Sequence, residues 1–166
     1  MRAAPLWTLA YAIVFSVLAL SASGAVPAAA ESLAGQASVI DGDTMEIHGQ
    51  RIRLFGIDAV ESRQRCIRGG KQWNCGKDSA FALADRIGRS AIDCRSVERD
   101  RYGRLVAVCF KGAEDLNRWM VEQGWAVAYR RYSMDYVRAE DAAKAAGRGL
   151  WSGSFEMPWD WRKTAR

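Results

Sequence analysis

Carboxylates and an arginine that could do chemistry are concentrated in two short stretches of the chain. The first is DGDT, with Asp41 and Asp43, and the second is IRLFGIDAVES, with Arg53, Asp58 and Glu61. An Asp-Gly step between two apolar stretches is by itself an ordinary chain reversal. If the strands fold back on each other, however, Asp43, Asp58 and Glu61 meet at one end of the sheet. There the three carboxylates repel each other and raise each other's pKa values. A hard divalent cation with oxygen ligands relieves that repulsion, so the pattern predicts a Ca²⁺, Mg²⁺ or Mn²⁺ site.

Two arginines add a second kind of chemistry to the predicted carboxylate cluster. Arg53 lies between Ile52 and Leu54 and therefore points to the opposite face of its strand, and Arg104 closes the polar stretch DRYGR. Either one alone is typical of an arginine stem packed on a sheet with its head in water. Together with a metal and a carboxylate, two guanidinium groups supply positive charge around a pentacoordinate phosphorus and a group that positions water. The combination predicts a phosphate site.

The elements that must position these groups follow from the apolar pattern. The predicted strands are Gln36 to Ile40, Thr44 to Ile47, Arg51 to Ile57, Ile92 to Val97 and Arg104 to Phe110, with a short extended segment from Trp125 to Ala128. The predicted helices are GKDSAFALADRIG, AEDLNRWMVEQG and a segment that begins at Ser133 and ends before Gly147. Five short strands with interleaved helices fit an α+β domain built on a small closed barrel of the OB type.

Five motifs in the same order resemble those of the staphylococcal nuclease (thermonuclease) family. They are VIDGDT, RLFGIDAVE, DRYGR, GWAVAY and GLWS, and they extend from about Val39 to Ser152. The resemblance implies a five-stranded OB-fold barrel with three α-helices and a Ca²⁺-dependent nuclease activity that leaves 3′-phosphate and 5′-hydroxyl ends. Low sequence specificity would follow, because phosphates and one stacked base carry little sequence information.

The resemblance also implies a role for each matching residue. The predicted ligands of one Ca²⁺ ion are Asp43, Asp58 and the backbone carbonyl of Ala59, with Glu61 bound through water. The predicted catalytic residues are Arg53 and Arg104, which bind the scissile phosphate, and Glu61, which acts as general base or orients the water. The predicted nucleotide-binding residues are Tyr102, Tyr129 and either Arg131 or Tyr132.

The chain departs from the family pattern beside the predicted base. The family commonly has Asp-Thr-Pro-Glu where this chain has Asp58, Ala59, Val60 and Glu61. A backbone carbonyl survives the change from threonine to Ala59, so a metal ligand need not be lost. The missing proline removes a fixed φ before Glu61. We therefore expect a softer loop, with lower metal affinity or turnover and an unchanged class of reaction.

The first thirty residues have the three-part pattern of a secretory signal. Arg2 precedes the apolar run LWTLAYAIVFSVLAL, and small residues follow as far as Ala30, after which cleavage is predicted. The apolar run and its alanine-rich tail are long enough for an uncleaved membrane anchor as the alternative. The remaining residues, 31–166, form one predicted nuclease domain with an aromatic and basic tail from about residue 152.

Export would expose the four cysteines to oxidants, so two disulfides are expected. Four cysteines allow three pairings, of which we favour Cys66–Cys75 and Cys94–Cys109. The first pair closes the polar, glycine-rich loop CIRGGKQWNC, and the second joins two strands that fold back around RDRYGR. A zinc site is the competing interpretation, but the chain has no CxxC pair and its one histidine, His48, lies in a predicted turn.

The chain is therefore predicted to be an exported, monomeric phosphodiesterase that cuts DNA, RNA or both and needs no protein partner. A formal net charge of +5 and a sequence pI near 9.2 suit a polyanionic substrate, although a solvated basic surface has the same composition. One alternative is a non-catalytic nucleic-acid-binding module on the same barrel. The other is a basic structural protein of the cell envelope. The presence of both arginines and all three carboxylates favours the enzyme.

Overall fold

The computed structural model describes residues 31–165, so the predicted signal segment lies outside the described residues. The strands are β1 (Ser32–Asp41), β2 (Thr44–Ile47), β3 (Gln50–Leu54), β4 (Ile57–Ala59), β5 (Cys66–Arg68), β6 (Lys71–Trp73), β7 (Ala91–Arg99), β8 (Leu105–Lys111), β9 (Glu114–Asp115) and β10 (Ala126–Ala128). The helices are α1 (Cys75–Ile87), α2 (Leu116–Glu122), α3 (Val137–Ala145) and α4 (Pro158–Thr164), with a 3₁₀ turn at Gly149–Ser152.

Five of the strands close into a barrel, as predicted. They follow the order β3-β2-β1-β7-β8 with antiparallel neighbours, and a parallel pairing between β3 and β8 joins the two ends. Two further pairs lie outside the barrel: β4 with β10, and β5 with β6. The fold is the predicted α+β barrel of the OB type, and the barrel strands end beside the predicted site residues.

Alternating side chains fill the barrel, and two helices cover it. Met45, Ile47, Ile52, Leu54 and Leu105 are essentially inaccessible to solvent and belong to one cluster with residues of α1 and α2. The apolar alternation in β2 and β3 therefore has the expected cause, which is that every second side chain lies inside the barrel. Arg53 is one of the residues between them.

The described chain has four α-helices where the sequence predicted three. The additional helix, α4, begins with Pro158 in its first turn, a position at which the missing N–H of proline costs nothing. It is only seven residues long. Such a helix covers two turns, which is too short for an apolar period to appear in the sequence. The predicted aromatic and basic tail is therefore partly helical.

Both favoured cysteine pairs are present as disulfides. Cys94 and Cys109 lie directly opposite each other on β7 and β8, and the Cys66–Cys75 bond joins β5 to the first residue of α1. Disulfides of this kind persist in oxidising compartments. In the part of the chain that the structure describes, no helix combines the length and the apolar character needed to cross a bilayer.

Candidate active site

The turn between β1 and β2 places Asp43 at one end of the barrel. Gly42 lies so close to α1 that a Cβ atom there would be 2.0 Å from Oγ of Ser79, so no side chain fits at this position. Asp43 is buried, and its Oδ1 accepts a hydrogen bond from Nη1 of Arg53 at 2.7 Å while its Oδ2 accepts one from the N–H of Ala59 at 2.8 Å. Burial raises the pKa of Asp43 to about 7, against the opposing charge of Arg53. The turn at Asp41 and Gly42 therefore reverses the chain and also places Asp43 against Arg53 and Ala59.

Arg53 lies on β3, opposite Thr44 of β2 and Val106 of β8. Since β3 is hydrogen-bonded along both edges, the guanidinium group projects from a fixed backbone. It bridges Asp43 and Asp58 through Nη1 and Nη2, at 2.7 and 2.8 Å. Burial lowers the pKa of Arg53, but the two carboxylate charges outweigh burial and raise it. The cation in an apolar strand is therefore held ionised at the edge of the barrel.

The pairing of β4 with β10 brings Asp58, and Glu61 just after it, to the same end of the barrel as Asp43 and Arg53. Asp58 lies on β4, opposite Val127 of β10, and is fully buried. Its Oδ2 accepts a hydrogen bond from Nη2 of Arg162 at 2.7 Å, and its Oδ1 accepts one from Nη1 of the same residue at 3.1 Å. Oε1 of Glu61 accepts a hydrogen bond from Arg162 Nη1 at 2.8 Å. Arg53 joins Asp43 to Asp58, and Arg162 joins Asp58 to Glu61, so the three predicted carboxylates lie at the same end of the barrel and are linked through arginines.

The segment that lacks the family's proline is held by packing and hydrogen bonds. Val60 is buried against the disulfide that joins β5 to α1. Gln64 is also buried; its Oε1 accepts a hydrogen bond from the N–H of Glu61 at 3.2 Å, and its Nε2 donates one to the carbonyl of Glu156 at 2.6 Å. A Cβ atom at Gly76 would be 1.9 Å from the carbonyl oxygen of Glu61, so the start of α1 lies directly against this segment. These contacts restrain Glu61 where a fixed φ is missing.

Arg104 lies apart from the carboxylate cluster, at the end of the connection between β7 and β8. Oδ2 of Asp100 accepts a hydrogen bond from Nε of Arg104 at 2.7 Å, and Oδ1 accepts one from the N–H of Tyr102 at 2.9 Å. Burial raises the pKa of Asp100, but the hydrogen bonds from Arg104 and the backbone outweigh it and lower that pKa. Asp100 was not predicted as a site residue, although it stands first in the stretch DRYGR. It orients Arg104.

A cavity of about 880 Å³ joins these groups. All the predicted site residues line it except Asp58, which is fully buried. The lining members of the predicted set are Asp43, Arg53, Ala59, Glu61, Tyr102, Arg104, Tyr129, Arg131 and Tyr132. The cavity therefore has carboxylates and Arg53 at one side, and Arg104 with tyrosines at another.

Tyr129 forms the centre of the aromatic wall. Its backbone N–H donates to the carbonyl of Gly56 at 2.9 Å, which ties it to the turn between β3 and β4. Its ring meets Tyr132 edge to face, with centroids 4.9 Å apart, and is stacked on Trp159 at 5.6 Å with an interplanar angle of 9°. Of the two alternatives for the third nucleotide-binding residue, Tyr132 is the one that contacts Tyr129, while Arg131 also lines the cavity.

Among the cavity residues that sequence reasoning missed are Trp159 and Arg162, both of which lie on α4. Their spacing of three places them on one face of a helix. The tail WDWRK was noticed only as aromatic and basic. Helical spacing of an aromatic and a cation was the one signal in the sequence that could have singled them out.

Comparison with known families gives this arrangement a context. Residues 51–153 match the family described as "Staphylococcal nuclease homologue". The chain belongs to this family. The matched residues are more than half of the chain and include every predicted site residue except Asp43.

Relatives extend the likeness beyond the matched family segment. The chain is 44% identical over 132 residues to the succinoglycan biosynthesis protein ExoI of Rhizobium meliloti, covering 77% of this chain and 69% of that protein. It is 30% identical over 159 residues to the micrococcal nuclease of Shigella flexneri, covering 85% and 86%. A probable staphylococcal-like nuclease of rice, CAN2, is 34% identical over 119 residues, and the chain spans only 30% of its length.

Members of the staphylococcal nuclease family use Ca²⁺, and the donor atoms at the barrel end fit this ion in kind. Asp43, Asp58, Glu61 and the carbonyl of Ala59 offer only oxygen ligands, which a hard cation prefers. Three carboxylates against Arg53 alone would leave two negative charges, which a divalent cation balances. Among residues 31–165, however, no three His, Cys, Asp or Glu side chains are grouped as they would be around an ion. The guanidinium groups of Arg53 and Arg162 bridge the carboxylates instead.

Proposed function

We propose that this protein is an exported, Ca²⁺-dependent nuclease that hydrolyses DNA, RNA or both with low sequence specificity and leaves 3′-phosphate ends. At the coarse level the chain is a phosphodiesterase of the endonuclease type, because it belongs to the staphylococcal nuclease family and its relatives include a micrococcal nuclease. The single observation that supports the finer proposal is the common cavity, in which Arg53, Arg104, Glu61 and the Tyr129 wall face one space.

Glu61 is the carboxylate best suited to activate water. Asp43 and Asp58 are buried, whereas the Glu61 side chain keeps 34% of its surface exposed and lines the cavity. A base must reach the water whose proton it accepts, and only an accessible oxygen can do so. We assign Glu61 to orient the attacking water and to accept its proton. Its neighbour Gln64 fixes the backbone from which it reaches.

Arg53 and Arg104 approach the cavity from two different walls. Negative charge grows on the phosphate oxygens as water adds to phosphorus, and preorganised cations stabilise that charge without moving. Arg53 is fixed by β3, and Arg104 is fixed by Asp100. The tyrosines Tyr102, Tyr129 and Tyr132 provide faces and edges for a nucleotide next to the scissile phosphate.

The proposed metal ligands are Asp43, Asp58 and the Ala59 carbonyl, with Glu61 acting through water. When bound there, Ca²⁺ supplies Lewis-acid polarisation of the phosphate and a template for water and substrate. The role of the chain itself is to keep two aspartates buried side by side. Burial raises the pKa of Asp43 because desolvation disfavours its charged form, and a bound cation would stabilise that form.

Export is supported by the two disulfides and by the predicted signal in the first thirty residues. We propose that residues 31–166 are the mature nuclease domain and that it acts as a monomer. Peptide mass spectrometry of the protein from culture supernatant or periplasm would identify its N-terminus. An N-terminus before residue 31 in membrane-bound material would favour the anchored alternative.

One assay tests the proposed activity. Purified protein is incubated with single-stranded DNA, double-stranded DNA and RNA, in Ca²⁺ or in excess EDTA, and the product ends are identified by enzymatic labelling. We expect cleavage only with Ca²⁺ and products that carry 3′-phosphates. Glu61→Gln should cleave about 10²-fold more slowly or worse while still binding DNA, since general acid–base groups contribute about 10²–10⁴ in rate.

The outcomes separate the rival functions. DNA binding without cleavage by the unaltered protein would favour the non-catalytic module. Binding to acidic polymers of every kind without turnover would favour the structural envelope protein. Full activity in excess EDTA would show that the carboxylates are not a metal site.

A further inference from the structure

We propose that α4 is a plug that competes with Ca²⁺ and with substrate for the active site. Arg162 occupies the carboxylates that the metal must reach, and Trp159 covers the face of Tyr129 on which a base would stack. This proposal rests on the proposed function, because it assigns the plug to the same metal and nucleotide sites.

The burial of Asp58 is the first step of the argument. Asp58 is a predicted metal ligand, yet it is 0% exposed. Arg162 donates to both of its carboxylate oxygens, at 2.7 and 3.1 Å, and Arg53 takes a second position on Oδ1 at 2.8 Å. Arg53 is fixed by the barrel, but Arg162 lies on a helix of only seven residues. An ion can therefore reach Asp58 only if Arg162 leaves.

The net charge of the carboxylate cluster also favours the replacement of Arg162 by Ca²⁺. Asp43, Asp58 and Glu61 are paired with Arg53 and Arg162, which leaves one net negative charge in the cluster when all three carboxylates are ionised. Without Arg162 the cluster would carry two negative charges and a divalent cation would neutralise it. Arg162 donates hydrogen bonds to Asp58 and Glu61, and an arginine keeps its charge at every physiological pH. Arg162 is thus a permanent cation in the place where a removable one is expected.

Trp159 adds an independent observation on the nucleotide side. Its ring is nearly parallel to that of Tyr129, at 9° and with centroids 5.6 Å apart. Stacked geometry of this kind is how proteins hold a base on an aromatic side chain. A base that stacks on this face must replace Trp159. One face of α4 therefore occupies both the proposed metal ligands and the ring of Tyr129 on which a base would stack.

The helix is built to detach. It has seven residues. Pro158 is its one buried residue, and Lys163 and Thr164 are exposed. Helices of this length are not stable alone in water, so α4 depends on the contacts of Trp159 and Arg162. Removing those contacts should release it without unfolding the barrel.

Calcium binding in the absence of nucleic acid tests the metal half. Isothermal titration calorimetry of the purified full chain would compare the wild type with Arg162→Gln, Arg162→Lys and the control Arg95→Gln. Arg95 is a mostly exposed cation of β7 that pairs with Asp93, so its loss changes the net charge equally and leaves the cluster intact. Circular dichroism would confirm that each variant is folded.

We expect Arg162→Gln to bind Ca²⁺ at least about tenfold more tightly than the wild type, which corresponds to about 1.4 kcal/mol. Arg162→Lys should fall between the two, because it keeps the charge and loses the fork. Arg95→Gln should stay within about twofold of the wild type, as expected for a surface charge. Equal or weaker Ca²⁺ binding by Arg162→Gln would overturn the proposal.

Hydrogen exchange of the unaltered protein supplies a test that needs no variant. The amides of residues 159–164 should exchange faster in saturating Ca²⁺ than in EDTA, because the displaced helix frays. Unchanged or slower exchange would mean that the metal binds while α4 stays in place, which would also refute the proposal that α4 competes with Ca²⁺. This measurement decides the matter if Arg162→Gln fails to fold.

The nucleotide half has its own variant. In EDTA, Trp159→Ala should bind a short oligothymidylate several-fold more tightly, since base stacking is worth about 1–3 kcal/mol and Trp159 no longer competes. Weaker binding would mean that Trp159 itself helps to hold the base, and it would refute the proposal that Trp159 competes with the substrate. If the wild type cleaves DNA only with Ca²⁺ but Arg162→Gln gains no affinity, the plug is wrong and the nuclease stands. If neither protein binds Ca²⁺, both proposals fail.

Discussion

Asp58 and Glu140 are both carboxylates with no exposed surface, and each is held by two cations, yet their surroundings differ. Oε2 of Glu140 pairs with Arg130 at 2.6 Å and Lys144 at 2.8 Å, both from its own segment of the chain. The cations around Asp58 are Arg53 of the barrel and Arg162, which follows 104 residues later. Glu140 is thus balanced locally, and Asp58 depends on a distant helix.

The charge balance of the two regions explains the difference. Glu140 is one carboxylate between two cations, and it also accepts a hydrogen bond from the N–H of Ala128 at 3.1 Å. At the site, three carboxylates share two arginines. Around Glu140 the partners are local, and removing one side of such a buried pair destabilises the fold because it leaves a charge without its partner. A cluster that lacks positive charge is suited to binding something else.

We expect that removing the proposed phosphate-binding cation Arg104 costs activity, whereas removing a cation beside Glu140 costs stability. Arg104→Ala should lower kcat on single-stranded DNA by about 10²–10³, or roughly 3–4 kcal/mol, since it removes a preorganised donor to the phosphate. Arg104→Lys should remain badly impaired because it loses the bidentate fork. Steady-state kinetics at saturating Ca²⁺ would measure both variants.

Lys144→Ala is the matched control for this prediction. It removes one cation from the Glu140 region, so kcat should stay within about threefold of the wild type, a difference of about 0.7 kcal/mol. A folded Arg104→Ala protein that also stays within that range would identify Arg104 as a surface cation. The proposed mechanism would then be wrong.

The two disulfides sharpen the comparison at an intermediate size of effect. The double change Cys66→Ser and Cys75→Ser opens a loop with a sequence separation of 9 and should cost about 2–3 kcal/mol of unfolding free energy by the chain-entropy estimate. Because Val60 packs against this disulfide, kcat should fall as well. Denaturant unfolding and steady-state kinetics would separate the two effects.

The barrel disulfide provides the control. Opening the Cys94–Cys109 bond, with a separation of 15, should cost about 3 kcal/mol while leaving kcat of the folded fraction unchanged. Equal losses of kcat in the two double variants would show that the Cys66–Cys75 bond has no particular role in placing Glu61.

Much of the barrel could be predicted because its strands have a strong local signal. Met45, Ile47, Ile52 and Leu54 alternate with polar side chains, and the period of two decides which face lies inside. The approach of Asp43 to Asp58 was also predictable, since Asp43 precedes β2 directly and the chain that folds back from β2 through β3 leads to Asp58. The roles of these residues came from the family resemblance and remain proposals.

The contacts of α4 could not be predicted from local pattern. Arg162 reaches Asp58 across 104 residues, and a seven-residue helix shows too few positions for a period to emerge. Asp100 was missed for a different reason: its role depends on the turn at Gly103, whose φ of +79° folds the stretch DRYGR onto itself. Tertiary packing, rather than propensity, decides both.

The smallest expected effect concerns Glu140 and tests the structural side of the comparison. Glu140→Gln can keep the hydrogen bond to Ala128 but cannot balance Arg130 and Lys144. Because those cations are 43% and 38% exposed, solvent screens part of the interaction. We therefore expect a loss of about 1–2 kcal/mol at pH 7. Nuclease activity of the folded variant should be unchanged, which measures the separation between the two regions directly.

The pH dependence of that loss identifies its cause. Burial raises the pKa of Glu140, but the hydrogen bonds from Lys144 and Arg130 outweigh burial and hold the pKa below its ordinary value of 4.5. The folded state thus binds the proton less readily than the unfolded chain, so the stabilisation is complete above pH 4.5 and is lost as the pH falls through the folded pKa. Urea unfolding of the wild type and Glu140→Gln should therefore show a gap that is constant from pH 7 to pH 5 and narrows in more acidic buffer. A gap that stayed the same in acid would mean that packing, and not the charge of Glu140, stabilises this region, and the contrast with Asp58 would no longer hold.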